Sequence, residues 1–271
     1  MKELSEYITL NESKLGNFKP TSTRELKELI NQRIKEQGPN CDLNDIDVSG
    51  VTDMSYLFRD STFKGDISKW DVSHVKDMTG MFHRSKFNGD ISNWDVSNVE
   101  TMSWMFRESN FNGDISKWDV SKVRDMSFLF AESKFNKDIS KWDVSNVRVM
   151  NSIFCDSIFT GDISKWDVRG VDDMSFMFGN SKFTGDISKW NVSNVSSMYF
   201  MFYGSIFKGD ISKWNVSNVN DMESMFENSK FSGDISKWNV SSVESMEDMF
   251  ENSPLEGKEP EWYHSVKHYK G

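Results

Sequence analysis

Tryptophan, valine, methionine, phenylalanine and isoleucine return along this chain in one unchanging order. In one stretch they are Trp118, Val120, Val123, Met126, Leu129, Phe130, Phe135 and Ile139, with polar residues between them. The tryptophans Trp70, Trp94, Trp118, Trp142, Trp166, Trp190, Trp214, Trp238 and Trp262 stand 24 residues apart, with no insertion or deletion. A fixed period of this length marks a solenoid, in which each lap of backbone stacks on the lap before it. Eight inward side chains per lap predict a filled cross-section without a channel. Within a lap, Trp118 and Val120 alternate around Asp119, which predicts a short strand, and Asp138-Ile139-Ser140 predicts a second. Met126, Leu129 and Phe130 are three and four apart, which predicts one or two turns of helix. Glycines such as Gly65, Gly89 and Gly113 precede the aspartate of the second strand, where a tight corner favours positive φ. Lys137 replaces glycine there once, so either that corner is strained or glycine helps without being required.

The two ends depart from the repeat. Residues 1 to about 20 are polar and are expected to form an arm or a strand pair. Ser22-Thr23-Arg24-Glu25 reads as a capping box, Leu26, Leu29, Ile30 and Ile34 follow at helical spacing, and Gly38-Pro39 stops the helix. Such a helix would seal the open apolar end of a solenoid. Leu43-Asn44-Asp45-Ile46 begins a degenerate first copy, with Ile46 in the tryptophan register. After Phe250 the repeat decays: Leu255 takes the phenylalanine position, Lys258 the aspartate position and Glu259 the isoleucine position, and Pro254 and Pro260 appear. A polar, proline-bearing last coil blocks addition of another strand. The expected organisation is therefore an arm and capping helix over 1–42, repeats over 43–252 and a C-terminal cap over 253–271.

Trp94-Asp95-Val96-Ser97-Asn98-Val99, then Met102, Met105 and Phe106, then Phe111 and Gly113-Asp114-Ile115-Ser116, recurs in eight or nine copies. This phrase resembles the mycoplasma-type repeat of BspA-family leucine-rich-repeat surface proteins, over roughly residues 43 to 262. The resemblance implies an α/β, leucine-rich-repeat-like solenoid of about nine coils, each with short parallel strands and a short helical turn. It implies adhesion or partner binding at a bacterial surface, and it brings no catalytic residues. Similar repeats also occur in bacterial viruses, so a virion-associated or cytoplasmic place is the alternative.

Composition narrows the partners. A net charge of −10 opposes a surface that tracks nucleic-acid phosphates. No stretch approaches the 18 or more apolar residues of a membrane span. The first 20 residues lack the apolar run of an export signal, so a soluble chain is expected. Cys41 and Cys155 are far apart in sequence, which argues against a disulfide framework.

Candidate chemistry is sparse. The aspartates after tryptophan, among them Asp71, Asp119 and Asp167, become Asn191, Asn215 and Asn239 in later coils. A position served equally by Asp and Asn accepts a hydrogen bond in a turn and is no general base. The column Asp66, Asp90, Asp114, Asp138, Asp162, Asp186, Asp210 and Asp234 is never amidated, yet Ser two residues on and Lys or Asn three residues on favour turn bonding over calcium. The histidines His74, His83, His264 and His268 suggest no catalytic triple, so no enzyme, cofactor or metal is expected. The coils disagree at two outward positions. One reads Tyr56, Gly80, Trp104, Phe128, Ser152, Phe176, Phe200, Ser224 and Asp248; the other reads Arg59, His83, Arg107, Ala131, Cys155, Gly179, Tyr203, Glu227 and Glu251. Aromatics and arginines predominate at binding hot spots. The expected site is thus an exposed ridge of Tyr56, Arg59, His83, Trp104, Arg107, Phe128, Phe176, Phe200 and Tyr203 that takes a protein or glycan. Its charge is graded, with Arg59, Arg84, Arg107 and Arg148 early and Glu223, Glu227, Glu247 and Glu251 late. A structural spacer, in which the ridge has no role, is the other reading.

Overall fold

The computed structural model describes residues 19–267. The arm expected over residues 1 to about 20 lies outside them except for Lys19 and Pro20, as does the end of the C-terminal cap beyond Lys267. Helix α1, Thr23–Gln37, opens the described chain and helix α2, Glu261–Lys267, closes it. Between them the chain winds through stacked coils. A ladder of single parallel bridges links Asp53, Asp77, Thr101, Asp125, Val149, Asp173, Ser197, Asp221 and Ser245, one residue from each of nine coils.

Side chains one period apart pile into columns. The in-register tryptophans from Trp70 to Trp238 are 3–4% exposed. Each indole N–H donates to an isoleucine or leucine carbonyl of the coil before; Trp142 Nε1 reaches Ile115 O at 3.1 Å. This bond satisfies the one polar group of a buried indole, so the column stays dry without an unpaired donor. Phenylalanines stack along the axis: Phe106 lies 5.9 Å from Phe130 and nearly parallel to it, and Phe111 lies 6.4 Å from Phe135.

The local conformation differs from the expected strands and helical turns. In the third coil Met105, Arg107 and Ser109 donate their N–H groups back to Met102, Trp104 and Phe106, closing three overlapping β-turns. The intervening N–H groups of Met102, Trp104, Phe106 and Glu108 leave the coil and donate to Asp125, Ser127, Leu129 and Ala131 of the next one. A helix is ruled out because Trp104 and Glu108 have φ of 62° and 54°, the left-handed values that the third residue of a type II turn requires. The same two positions are left-handed in every coil, from Tyr56 and Asp60 to Asp248 and Asn252. Methionine and phenylalanine at a spacing of three and four point inward because successive turns face alternate ways.

The two expected strands are likewise turns. Trp118 N–H donates to Ile115 and Val123 N–H to Val120, so the residues at each turn's ends both face inward and imitate strand alternation. Pairing between successive coils falls instead on the residue before the first methionine, with one further bridge, Asp42 to Asp66, at the start of the stack. The glycine corners are corrected too. Gly65, Gly89 and Gly113 do not have positive φ; a Cβ on Gly113 would sit 2.8 Å from the Phe111 ring. Close approach of that ring, and not handedness, is what favours glycine there. Lys137 holds the same place in one coil, exposed, so the ring can yield.

α1 is built as its sequence requires. Ser22 Oγ accepts from Glu25 N–H at 3.3 Å, and the Glu25 carboxylate reaches back to Thr21 N–H at 2.9 Å. Leu26, Leu29 and Ile30 are buried against the first coil, and Gly38, at φ 88°, donates to Ile34 O. Lys27 Nζ and Thr23 Oγ1 donate to the carbonyls of Tyr56 and Asp53. They occupy carbonyls at the start of the stack. At the other end Tyr263 of α2 packs edge-on against Phe250, with centroids 5.1 Å apart.

Candidate functional site

Both aspartate columns are turn anchors. Asp119 Oδ1 accepts from Ser121 N–H at 3.0 Å, and Asn191 Oδ1 accepts from Ser193 N–H at 3.1 Å in the same role. Asp114 accepts from Ser116 N–H at 2.9 Å. The Ser121 hydroxyl and then its N–H hold the Asp119 carboxyl below the usual range. Among the described residues no three His, Cys, Asp or Glu side chains gather as metal ligands would. Asp119→Asn is expected to leave the urea midpoint at pH 7 within error, whereas Asp119→Ala costs about 1 kcal/mol through the lost turn bond. A carboxylate with a depressed folded pKa stabilises the fold above its ordinary value and loses that contribution as pH falls through the folded value. Asp119→Asn should therefore lose part of the wild-type's sensitivity to acid.

The ridge lies on the face of the overlapping turns, and its first column is the left-handed position itself. At that φ a large side chain reaches out past the coil, while the small Ser152 and Ser224 stay buried. Three groups form along it. Tyr56 is exposed (37%), with the Arg59 guanidinium 5.6 Å from its ring centroid. Trp104 and Phe128 lie 4.6 Å apart, and Arg107 sits over both, 4.5 Å and 5.6 Å from their centroids. Phe176 and Phe200 stack at 4.8 Å, and Tyr203 lies 5.1 Å from Phe200. Trp104, Arg107, Phe128, Phe176, Phe200 and Tyr203 are half-buried by one another and remain reachable. Buried Ser152 separates the second group from the third.

His83 departs from the expected exposed ridge. It is only 4% exposed, beneath the edge of Trp104 at 5.6 Å. Arg59 and Arg107 in the same column carry long stems that reach solvent, while the short imidazole stays under its neighbours. Its Nε2 is 3.6 Å from Glu108 Oε1, beyond hydrogen-bond reach, and neither ring nitrogen has a bonded partner. Burial pushes its pKa down, so it is neutral near pH 7. Glu108 bonds Arg84 at 2.8 Å, which is the main reason its carboxyl lies below the usual range, and Arg107 bonds Glu132 at 2.7 Å. This ion-pair lattice ties coils two to four together around the second aromatic group.

Sequence reasoning missed Tyr199, which packs edge-on against Phe176 and Phe200 at 5.4 and 4.4 Å. It occupies a position that is serine in four of the nine coils and otherwise polar, and an aromatic there was the signal that could have found it. Burial and then Glu223 and Asp221 raise its phenol pKa. Cys155 is half-buried in the second column and donates to Asp156 at 3.2 Å; burial first, and then Asp156, push its thiol up to about 12. Such a thiol is not poised as a nucleophile. Among the described residues no helix is long and apolar enough to cross a membrane.

One family model matches the chain four overlapping times, at residues 24–133, 83–182, 108–206 and 155–262, as a tandem repeat would produce. Its description is "Mycoplasma protein of unknown function, DUF285". No curated protein and no solved structure matches the chain. With the matches together running from residue 24 to 262, the chain belongs to the DUF285 family.

Proposed function

We propose that the chain is a non-enzymatic interaction protein that binds a protein or glycan partner through its ridge, with a leucine-rich-repeat-like scaffold holding that ridge in place. The observation that carries this reading is the contrast between the columns. Core and turn columns repeat nearly unchanged, while the left-handed column, whose large side chains reach outward, holds Tyr56, Trp104, Phe128, Phe176 and Phe200 in a row interrupted by small residues. Rigid aromatics flanked by arginine are efficient binding anchors because little side-chain entropy is lost when they dock. Adhesion at a bacterial surface follows from the likeness to BspA-type repeats, and a protein or glycan is favoured over nucleic acid by the net charge of −10. No catalytic or cofactor role is assigned to any residue.

The second reading, a structural spacer in a virion or surface layer, draws support from the ridge aromatics covering one another. Replacing Trp104 and Phe128 together with Ala separates the two. Against arrays of bacterial and host proteins and glycans, the interaction reading expects at least a tenfold loss of affinity for whatever the wild type binds, with the fold retained by circular dichroism. Unchanged binding by a folded double variant removes the ridge as the site.

A further inference from the structure

We propose that the ridge also accepts a second copy of this chain, laid antiparallel, with the fifth coil on a twofold axis. This rests on reading the ridge as an interaction surface. The two columns are near-palindromes about that coil. In the first, Phe128 and Phe176 flank Ser152, Trp104 and Phe200 lie one coil further out, and the small Gly80 and Ser224 follow. In the second, Ala131 and Gly179 flank Cys155, and the outermost positions are Arg59 and Glu251. A twofold axis lying across the rod turns coil order around and keeps each column opposite itself. The aromatic pair Trp104 and Phe128 then meets Phe200 and Phe176 of the other copy, and small residues meet small ones around the axis, where backbones can approach.

Charge selects this arrangement over its alternative. Laid antiparallel, Arg59 faces Glu251 and the end carrying Arg84 faces the end carrying Glu227 and Glu247. Laid parallel, each of these charges meets its own kind, which disfavours the complex. His83 is buried and takes no part, while Arg84 beside it is half exposed. The Arg59 side chain is 46% exposed, held only by the Tyr56 ring and a 3.3 Å pair with Asp60, so it is free to reach a partner. Nine coils at about 4.8 Å make a strip about 43 Å long. Two such strips, each two or three side chains wide, bury on the order of 1,200 Å² in total, the lower end of specific interfaces. The expected dimer is therefore reversible.

Sedimentation equilibrium of the full chain, over micromolar to submillimolar concentrations, tests this with Arg59→Glu, Glu251→Arg and the two combined. The proposal expects a monomer–dimer equilibrium, with each single reversal raising the dissociation constant about tenfold or more, because symmetry places the altered pair twice. The combined variant restores it, since the pair is re-formed with its signs exchanged. A chain that stays monomeric throughout, or a dimer indifferent to these reversals, overturns the proposal. Either outcome leaves the ridge's binding of other partners to be judged by the Trp104 and Phe128 double variant.

Discussion

Trp142→Ala lowers the unfolding free energy by roughly 3–5 kcal/mol, the range for truncating a fully buried large aromatic. Three losses combine. The indole is 4% exposed and rests 6.1 Å from the Phe130 ring, so its removal opens a cavity between coils that rigid turns cannot close. Its N–H no longer meets the Ile115 carbonyl, which is left with only the turn bond from Trp118 N–H. The cavity also interrupts a column that runs without a break from Trp70 to Trp238, weakening the coupling by which each coil supports the next. Trp142→Phe separates these contributions: it keeps most of the packing and loses the hydrogen bond, and should cost about 1–3 kcal/mol. Trp104→Ala, which removes the tryptophan outside the core column, falls well below both. Urea unfolding followed by circular dichroism gives the ranking. Equal costs for Trp142→Ala and Trp104→Ala would show that the in-register column does not carry the fold.

How far this arrangement could be read beforehand depends on what each residue reports. Burial was legible because Trp, Val, Met, Phe and Ile recur at fixed spacing, and an apolar side chain has one stable place in a stack of coils, between them. Local geometry was not, because alternation around Asp119 and the three–four spacing of Met126, Leu129 and Phe130 suit a train of turns as well as a strand or helix. The first left-handed column hides its nature, being occupied by Tyr56, Trp104, Phe128, Phe176 and Phe200, residues that rarely adopt positive φ. The second was open to detection. Asp60, Asp156, Asn180, Gly204, Asn228 and Asn252 are the residue types that tolerate that conformation, recurring at one register position. The ridge residues were legible as points of disagreement between coils, but their grouping was not. Whether His83 emerges or lies under Trp104 depends on side-chain length and on what the next coil places above it, which a repeat alone does not specify.

Excising 24 residues in register, 131–154, gives a folded chain one coil shorter, whereas excising 12, 131–142, unfolds the stack around the cut. The bonds between coils connect a residue to its counterpart about one period on, as in Phe106 N–H to Leu129 O and Phe130 N–H to Ile153 O. Removing a full period joins Phe130 to Cys155, the residue that follows Phe154 in the intact chain, so every ladder re-forms with its neighbour one coil further on. The loss is one coil's share of a sum of nearly equal contributions, and the urea midpoint falls only modestly. Removing half a period joins Phe130 to Asp143 and deletes Phe135, Ile139 and Trp142. The columns on the two sides are then out of phase, and Val144 and Val147 meet turns where side chains face water. No adjustment of the turns recovers half a lap, because each left-handed position must stack on another to keep its N–H bonds to the next coil. Limited proteolysis reads the difference directly: the 24-residue excision resists cleavage like the parent, and the 12-residue excision is cut near the junction. If the two excised chains resist cleavage equally, coil-to-coil register does not hold the fold together.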